Sequence, residues 1–221
     1  MRGKMNTKLI REITVASKES GPDPHSNPRL RLAIDKANRA NVTKDSIKKA
    51  IDKGQGASTG ADYTEVMYEG YGAKGVAVMV RCLTDNKNRT VSEVRHAFNK
   101  HGGNLGTDGS VSYLFERKGV VFLPCHASDQ PAMLEAVLDF AVEDVLESEE
   151  GLELIVQASD LTSVVDGITA KQWDIGQADL RWVAGTLVEL NDEDAQKLAT
   201  LEDALDDLDD VQEVYHNAQL I

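Results

Sequence analysis

After residues 118–189, which carry two rounds of strand, helix and strand, one helix and one strand are left over. GVVFLP reads as a strand and PAMLEAVLDFAVE as a helix. DVLESEE and GLELIVQA read as a hairpin around Glu149–Gly151. DLTSVVDGITAK is then a helix and ADLRWVAGTLVEL a strand. The order β-α-β-β-α-β is the split, ferredoxin-like pattern. The acidic helix EDAQKLATLEDALDDLD and the strand VQEVYHNAQ that follow have no partner in their own neighbourhood. Their economical placement is in an earlier sheet, which makes the ferredoxin-like unit an insertion.

That earlier sheet is legible upstream. YTEVMYEGYG and GVAVMVRCL read as strands. TVSEVRHAFNKHGG is a helix that opens on a capping box from Thr90 to Glu93 and turns Val91, Val94 and Phe98 inward. SVSYLFER reads as the returning strand. Before it all stands a helical head. TKLIREITVASKES places Leu9, Ile10, Ile13 and Ala16 at helical spacing. Asn27 caps a second helix with Pro28 at its first position, and Asn41 ends it in a left-handed turn. Thr43 caps a third, KDSIKKAIDK, and GQGASTGAD (54–62) reads as a linker. The expected fold is multidomain, α and α+β. A three-helix domain spans 1–56, an α+β domain 62–117 plus 190–221, and a ferredoxin-like α+β domain inserted in it 118–189.

Charge divides along the same line. The formal net charge is −13, yet residues 1–56 hold 13 Lys/Arg against 6 Asp/Glu, and the remainder 11 against 31. A basic head on an acidic body points to an oriented polyanionic partner. The candidate contacts are Arg2, Lys4, Lys8, Arg11, Arg29, Arg31, Lys36, Arg39, Lys44, Lys48, Lys49 and Lys53. The head has no Phe, Tyr or Trp on which single-stranded bases could stack, so duplex backbone or folded RNA is the better match. No confident recognition helix stands out.

Motifs for chemistry are scarce. His96 and His101 are five apart, off a common helical face, and no HExxH, GxSxG or Walker loop occurs. Cys125 and His126 are adjacent, and neighbours on a strand point to opposite faces. Two cysteines without a CxxC pattern suit a reducing cytosol. No apolar run approaches the roughly 18–20 residues of a membrane span. The expectation is a cytoplasmic protein, not an enzyme, without cofactor, metal site or membrane contact. GGNLGTDGS (102–110) is either a helix C-cap plus a tight turn or a loop whose bare backbone can approach a ligand.

TDNKNRT (84–90) asks for more than a turn. Asn86, Lys87, Asn88 and Arg89 lie where a helix starts, and cations there gain nothing from the helix dipole. They are expected to form a second contact for phosphate or for an acidic group.

TKLIREITVA, NPRLRLAIDKA, YEGYG, LTDNKNRTVSEVR, GGNLGTDGSVSYLF and DDVQEVYHN, taken together, resemble the YebC/PmpR family, bacterial relatives of a mitochondrial translational activator of cytochrome oxidase. The resemblance spans nearly the whole chain. It implies a helical N-terminal domain and two α+β domains, one of them ferredoxin-like and inserted in the other. It also implies regulation rather than catalysis, either as a promoter-binding transcriptional regulator or as a ribosome-associated translation factor that relieves stalling at proline-rich stretches. The implied partner is DNA, or ribosomal or transfer RNA on the ribosome. Family members usually begin with a further basic segment containing a Gly-His-Ser-Lys-Trp run, whereas this chain starts at MRGKMNTKLI. Any contact that depends on that segment is expected to be weaker here.

Overall fold

The computed structural model describes residues 2–56 and 62–220. The linker expected at 54–62 therefore lies largely outside the described residues. Two compact units emerge, one made of 1–115 with 184–221 and the other of 116–183.

The first unit opens with helices α1 (Arg2–Ser20), α2 (Pro28–Arg39) and α3 (Lys44–Gly54). Their apolar stripes meet in a core of Ile13, Ala16, Leu30, Ala33, Ala37, Ile47 and Ala50. The caps form as the sequence requires. Asn27 accepts from the backbone N–H of Leu30 at 3.0 Å while its amide donates to Ala16 and Gly21 carbonyls, both at 2.8 Å. Thr43 accepts from Ser46 N–H at 3.2 Å, and Asn41 is left-handed at φ 59°.

A four-stranded antiparallel sheet follows, built from β1 (Thr64–Tyr71), β2 (Ala77–Thr84), the two-residue β3 (Asn104–Leu105) and β9 (Val211–His216), in the order β3-β1-β2-β9. The C-terminal strand thus pairs with β2, Val80 opposite Val214 and Arg81 opposite Glu213. Helices α4 (Lys87–Lys100) and α7 (Asp192–Asp206) pack on this sheet. Alternate residues of β2 point the same way, so Val78, Val80 and Cys82 share one core with Val94, Phe98, Leu198, Leu201 and Leu205. Asp192, Glu193 and Asp194 open α7 where its dipole favours negative charge.

Three local expectations are corrected. SVSYLFER does not return as a strand to the first sheet. Ser112–Leu114 form a 3₁₀ turn, and Phe115 begins a strand, β4 (Phe115–Pro124), that runs on through GVVFLP. The amides of Val111 and Ser112 are held by the Glu69 carboxylate, each at 2.8 Å, and the first sheet closes with β3 instead. ADLRWVAGTLVEL is two strands, β7 (Gln177–Ala184) and β8 (Val188–Leu190). The second pairs in parallel with β10 (Ala218–Leu220) and buries Leu190 in the first unit's core. Thr90 does not cap its helix. Asn86 does, accepting from Arg89 N–H at 3.1 Å. Thr90 lies buried one turn inside, bonded to Thr84 and Asp210.

The second unit runs β4, α5 (Gln130–Val137), β5 (Val142–Ser148), β6 (Gly151–Gln157), α6 (Leu161–Ala170) and β7, with strand order β5-β6-β4-β7. In its own numbering this order is 2-3-1-4, that of a ferredoxin-like sheet. Helix α5 is shorter than its sequence pattern suggested, because Val142 and Glu143 join β5. Gly167 sits mid-helix in α6 for want of room. A Cβ there would stand 2.5 Å from the Phe140 ring. No helix among the described residues is long and apolar enough to cross a membrane.

Candidate nucleic-acid interface

The basic residues of the head divide by direction. On α1, Lys4, Lys8 and Arg11 lie along one face and meet the chain just after and at the end of α7. The Lys4 ammonium binds the Asp207 carbonyl and reaches its carboxylate at 3.3 Å, and Lys8 donates to the Asp206 carbonyl at 3.1 Å. Cations at these unpartnered C-terminal carbonyls complement the negative end of the helix dipole. Arg11 donates from Nη1 to the Leu83 carbonyl at 2.7 Å and to Asp210 Oδ1 at 2.9 Å.

Deeper in, Arg29 binds Glu12, Glu19 and Glu65 at 2.8, 2.6 and 2.7 Å. Arg81, reaching out of β2, binds Glu12 and Glu65 at 2.8 Å and Glu213 at 3.0 Å. Lys36 lies 3.5 Å from Glu213. Burial alone would push the Glu12 carboxyl up, but Arg81 and Arg29 hold it at about 2. Glu213 is likewise below its ordinary value, with Arg81 and then Lys36 outweighing burial. Lys53 stands over the Tyr63 ring, 5.6 Å from its centre, beside Arg11 at 4.5 Å.

Lys44 and Lys48, one turn apart on α3, are exposed, and Arg31 on α2 is half-buried. None of the three forms an ion pair among the described residues. Lys49 is exposed and paired with Asp45 one turn back at 2.7 Å. Arg39 is exposed near the end of α2, and the side chain of Arg2 lies outside the described residues.

The corner at 86–89 is built differently from its sequence reading. Asn86 uses its side-chain oxygen on the helix cap, and the Asn88 carbonyl accepts from Ser92 at 2.9 Å. Arg89 reaches back to Asp85 at 2.9 Å and to Asp210 at 2.7 Å, which raises its pKa further. Its side chain stays 44% exposed, so a second acceptor can still approach. Lys87 is exposed and unpaired among the described residues.

Helix α4 continues what Lys87 begins, and the sequence reading stopped short of it. Asn88, Ser92, Arg95 and Asn99 recur at helical intervals on its exposed face, flanked by His96 and Lys100. Four of the eleven Lys/Arg outside the head lie on this one helix, with Glu93 its sole carboxylate. The signal was present in VSEVRHAFNKH, as cations at the positions its apolar stripe leaves outside.

The end of the glycine-rich loop at 102–110 is taken by a carboxylate of the chain itself. Gly109, Val111 and Ser112 N–H groups all donate to the buried Glu69 carboxylate at 2.8 Å. Burial would raise Glu69, and these donors lower it below the ordinary carboxylate range. Cys82 is buried, which pushes its thiol up to about 12 and leaves it inert as a nucleophile. Among the described residues, no three His, Cys, Asp or Glu side chains are grouped to hold a metal ion.

Comparison with known proteins places this arrangement. Residues 1–57 match the family model for the TACO1/YebC protein N-terminal domain, and residues 63–218 match that for the TACO1/YebC second and third domain. A probable transcriptional regulatory protein of Photobacterium profundum is 50% identical over 99% of this chain and 89% of its own length. One from Methylococcus capsulatus is 54% identical over 99% of this chain and 88% of its own. The crystal structure of a conserved hypothetical protein from Aquifex aeolicus superposes with a TM-score of 0.92 at 46% identity. It covers 100% of this chain and 91% of that one.

Proposed function

The chain belongs to the TACO1/YebC family, and we propose that it is a non-enzymatic, cytoplasmic regulator of gene expression that binds nucleic acid, as a DNA-binding transcriptional regulator. The observation that carries this reading is the sorting of its cations. Lys8, Arg11, Arg29 and Arg81 face inward and are paired with the chain's own carboxylates, while Arg31, Lys44 and Lys48 on the head and Lys87, Arg95 and Lys100 on α4 are left with none among the described residues. Unpaired surface lysines and arginines are what phosphate backbones displace counterions to reach. Relatives that share about half of this sequence are named probable transcriptional regulatory proteins, which supports the regulatory part of the reading. Asn88, Ser92, Arg95 and Asn99 are residue types able to meet base edges as well as phosphates.

A second reading, an RNA-binding translation factor on the ribosome, is favoured by one feature. Residues 116–183 hold fourteen carboxylates against four Lys/Arg, and such a unit is repelled by a long duplex. Crosslinking in cells, followed by sequencing of both DNA and RNA, separates the two. Enrichment at promoters is the expected result, and enrichment at ribosomal RNA with none at promoters would replace the first reading by the second.

A further inference from the structure

We propose that the ferredoxin-like unit binds a lysine- or arginine-containing segment of a protein partner in a cleft of about 580 Å³ at one end of its sheet. Three segments meet there: β4 running into α5, the turn between β5 and β6, and the loop between α6 and β7. They bring four carboxylates, Asp129, Glu149, Glu150 and Asp174, to a wall formed with Met133 and Trp173. Among the lining residues only His126 can carry a positive charge.

Where the unit's own cations go makes the cleft stand out. Lys118 pairs with Glu116 and Glu143, Lys171 with Asp139, and Arg181 with Glu153, none of these a carboxylate of the cleft. None of the four cleft carboxylates pairs with a lysine or arginine among the described residues. Four of the unit's fourteen carboxylates thus stand without a cation of the described residues round one concave, partly apolar surface.

That combination fits one chemistry. Lysine and arginine carry long aliphatic stems that lie along apolar surface while their charged ends seek carboxylates. Trp173 adds a face for a cation, and Lys171 already stands 5.6 Å from its ring centre. The cleft is also held in shape. Cys125 N–H donates to the Glu150 carbonyl at 3.3 Å, Gln130 donates to the Ser148 carbonyl at 2.7 Å, and Gly176 N–H donates to the Phe122 carbonyl at 2.9 Å. A preformed site loses less entropy on binding. The proposal is independent of the nucleic-acid reading and engages a different unit.

The test uses the whole chain and a synthetic Ala-Arg-Ala-Lys-Ala-Arg-Ala peptide, followed by calorimetry and by amide chemical shifts. Binding is expected to shift the signals of Cys125, Glu149, Glu150 and the Trp173 indole. E149Q/E150Q should weaken affinity about tenfold, the loss of one good charge-assisted hydrogen bond. D144N/D166N, which removes as much charge elsewhere on the unit, should leave it nearly unchanged, and K171A should strengthen it. Equal weakening by both double variants, shifts elsewhere on the unit, tighter binding of spermidine than of the peptide, or no peptide binding at low salt would each overturn the proposal.

Discussion

Arg11 of the basic head donates to the carboxylate of Asp210, just before the last strand of the sheet, at 2.9 Å, and both side chains are almost wholly shielded from water. Asp210 also accepts from Arg89 and Thr90 at 2.7 Å and from Thr84 at 3.0 Å. Burial would raise its pKa, and these four donors bring it below the usual value instead. One carboxylate thus ties α1, β2 and α4 to the start of β9. The charge asymmetry of the sequence is in part an internal interface.

Removing that carboxylate should be costly. Asp210→Ala strands the shielded Arg11 guanidinium and leaves Arg89 with Asp85 alone, and breaking a buried ion pair typically loses about 3–5 kcal/mol. Urea unfolding of the variant measures this. A loss under about 1 kcal/mol would mean that water compensates the arginines as well as Asp210 does.

Acid should loosen the same interface. The folded pKa of Glu12 is about 2 against an ordinary 4.5, so its ionised form is favoured by folding. Its contribution, about 3 kcal/mol, is complete above pH 4.5 and is lost as pH falls towards 2. Asp210, Glu213 and Glu69 are lowered too and act in the same direction. Stability measured by urea titration between pH 6 and 2 should fall steeply in this window. Glu12→Gln should start lower and fall less.

Arg29 separates folding from binding. It sits among Glu12, Glu19 and Glu65, so Arg29→Glu sets a fourth carboxylate against three. The variant is expected to lose at least about 2 kcal/mol of stability. Lys48→Glu, at an exposed position with no ion pair among the described residues, should stay within about 0.5 kcal/mol of the parent. Thermal unfolding of the pair checks both.

Helix α4 should behave as a surface that binds without holding the fold. Arg95→Glu with Lys100→Glu is expected to weaken nucleic-acid binding several-fold, and its salt dependence should fall with each phosphate left unneutralised. The melting temperature should not move. Binding unchanged in anisotropy titrations would remove α4 from the interface.

The sequence was informative where periodicity and caps decide the outcome. Asn27, Thr43 and Asn41 set the head's helix ends by local chemistry alone, and each does so in the fold. The homeless α-β pair announced its return to the first sheet, and β9 pairs with β2. What failed were contacts between distant segments. Thr90 looked like a cap because Glu93 follows three residues on, but its hydroxyl has a stronger use on Asp210, 120 residues away. The glycine loop was ambiguous because Glu69, which fills it, lies on another strand. In the same way Arg11 and Arg29 read as surface cations, and only the folded chain reveals their carboxylates.

The salt dependence of nucleic-acid binding tests the central claim most directly. The whole chain and an R31E/K44E/K48E variant are titrated by anisotropy onto a labelled DNA duplex and a folded RNA hairpin across a range of salt. If outward cations meet the phosphates, the variant binds more weakly, and on duplex DNA its log–log salt slope flattens by about 0.9 for each phosphate it no longer neutralises. An unchanged affinity and slope would contradict the account.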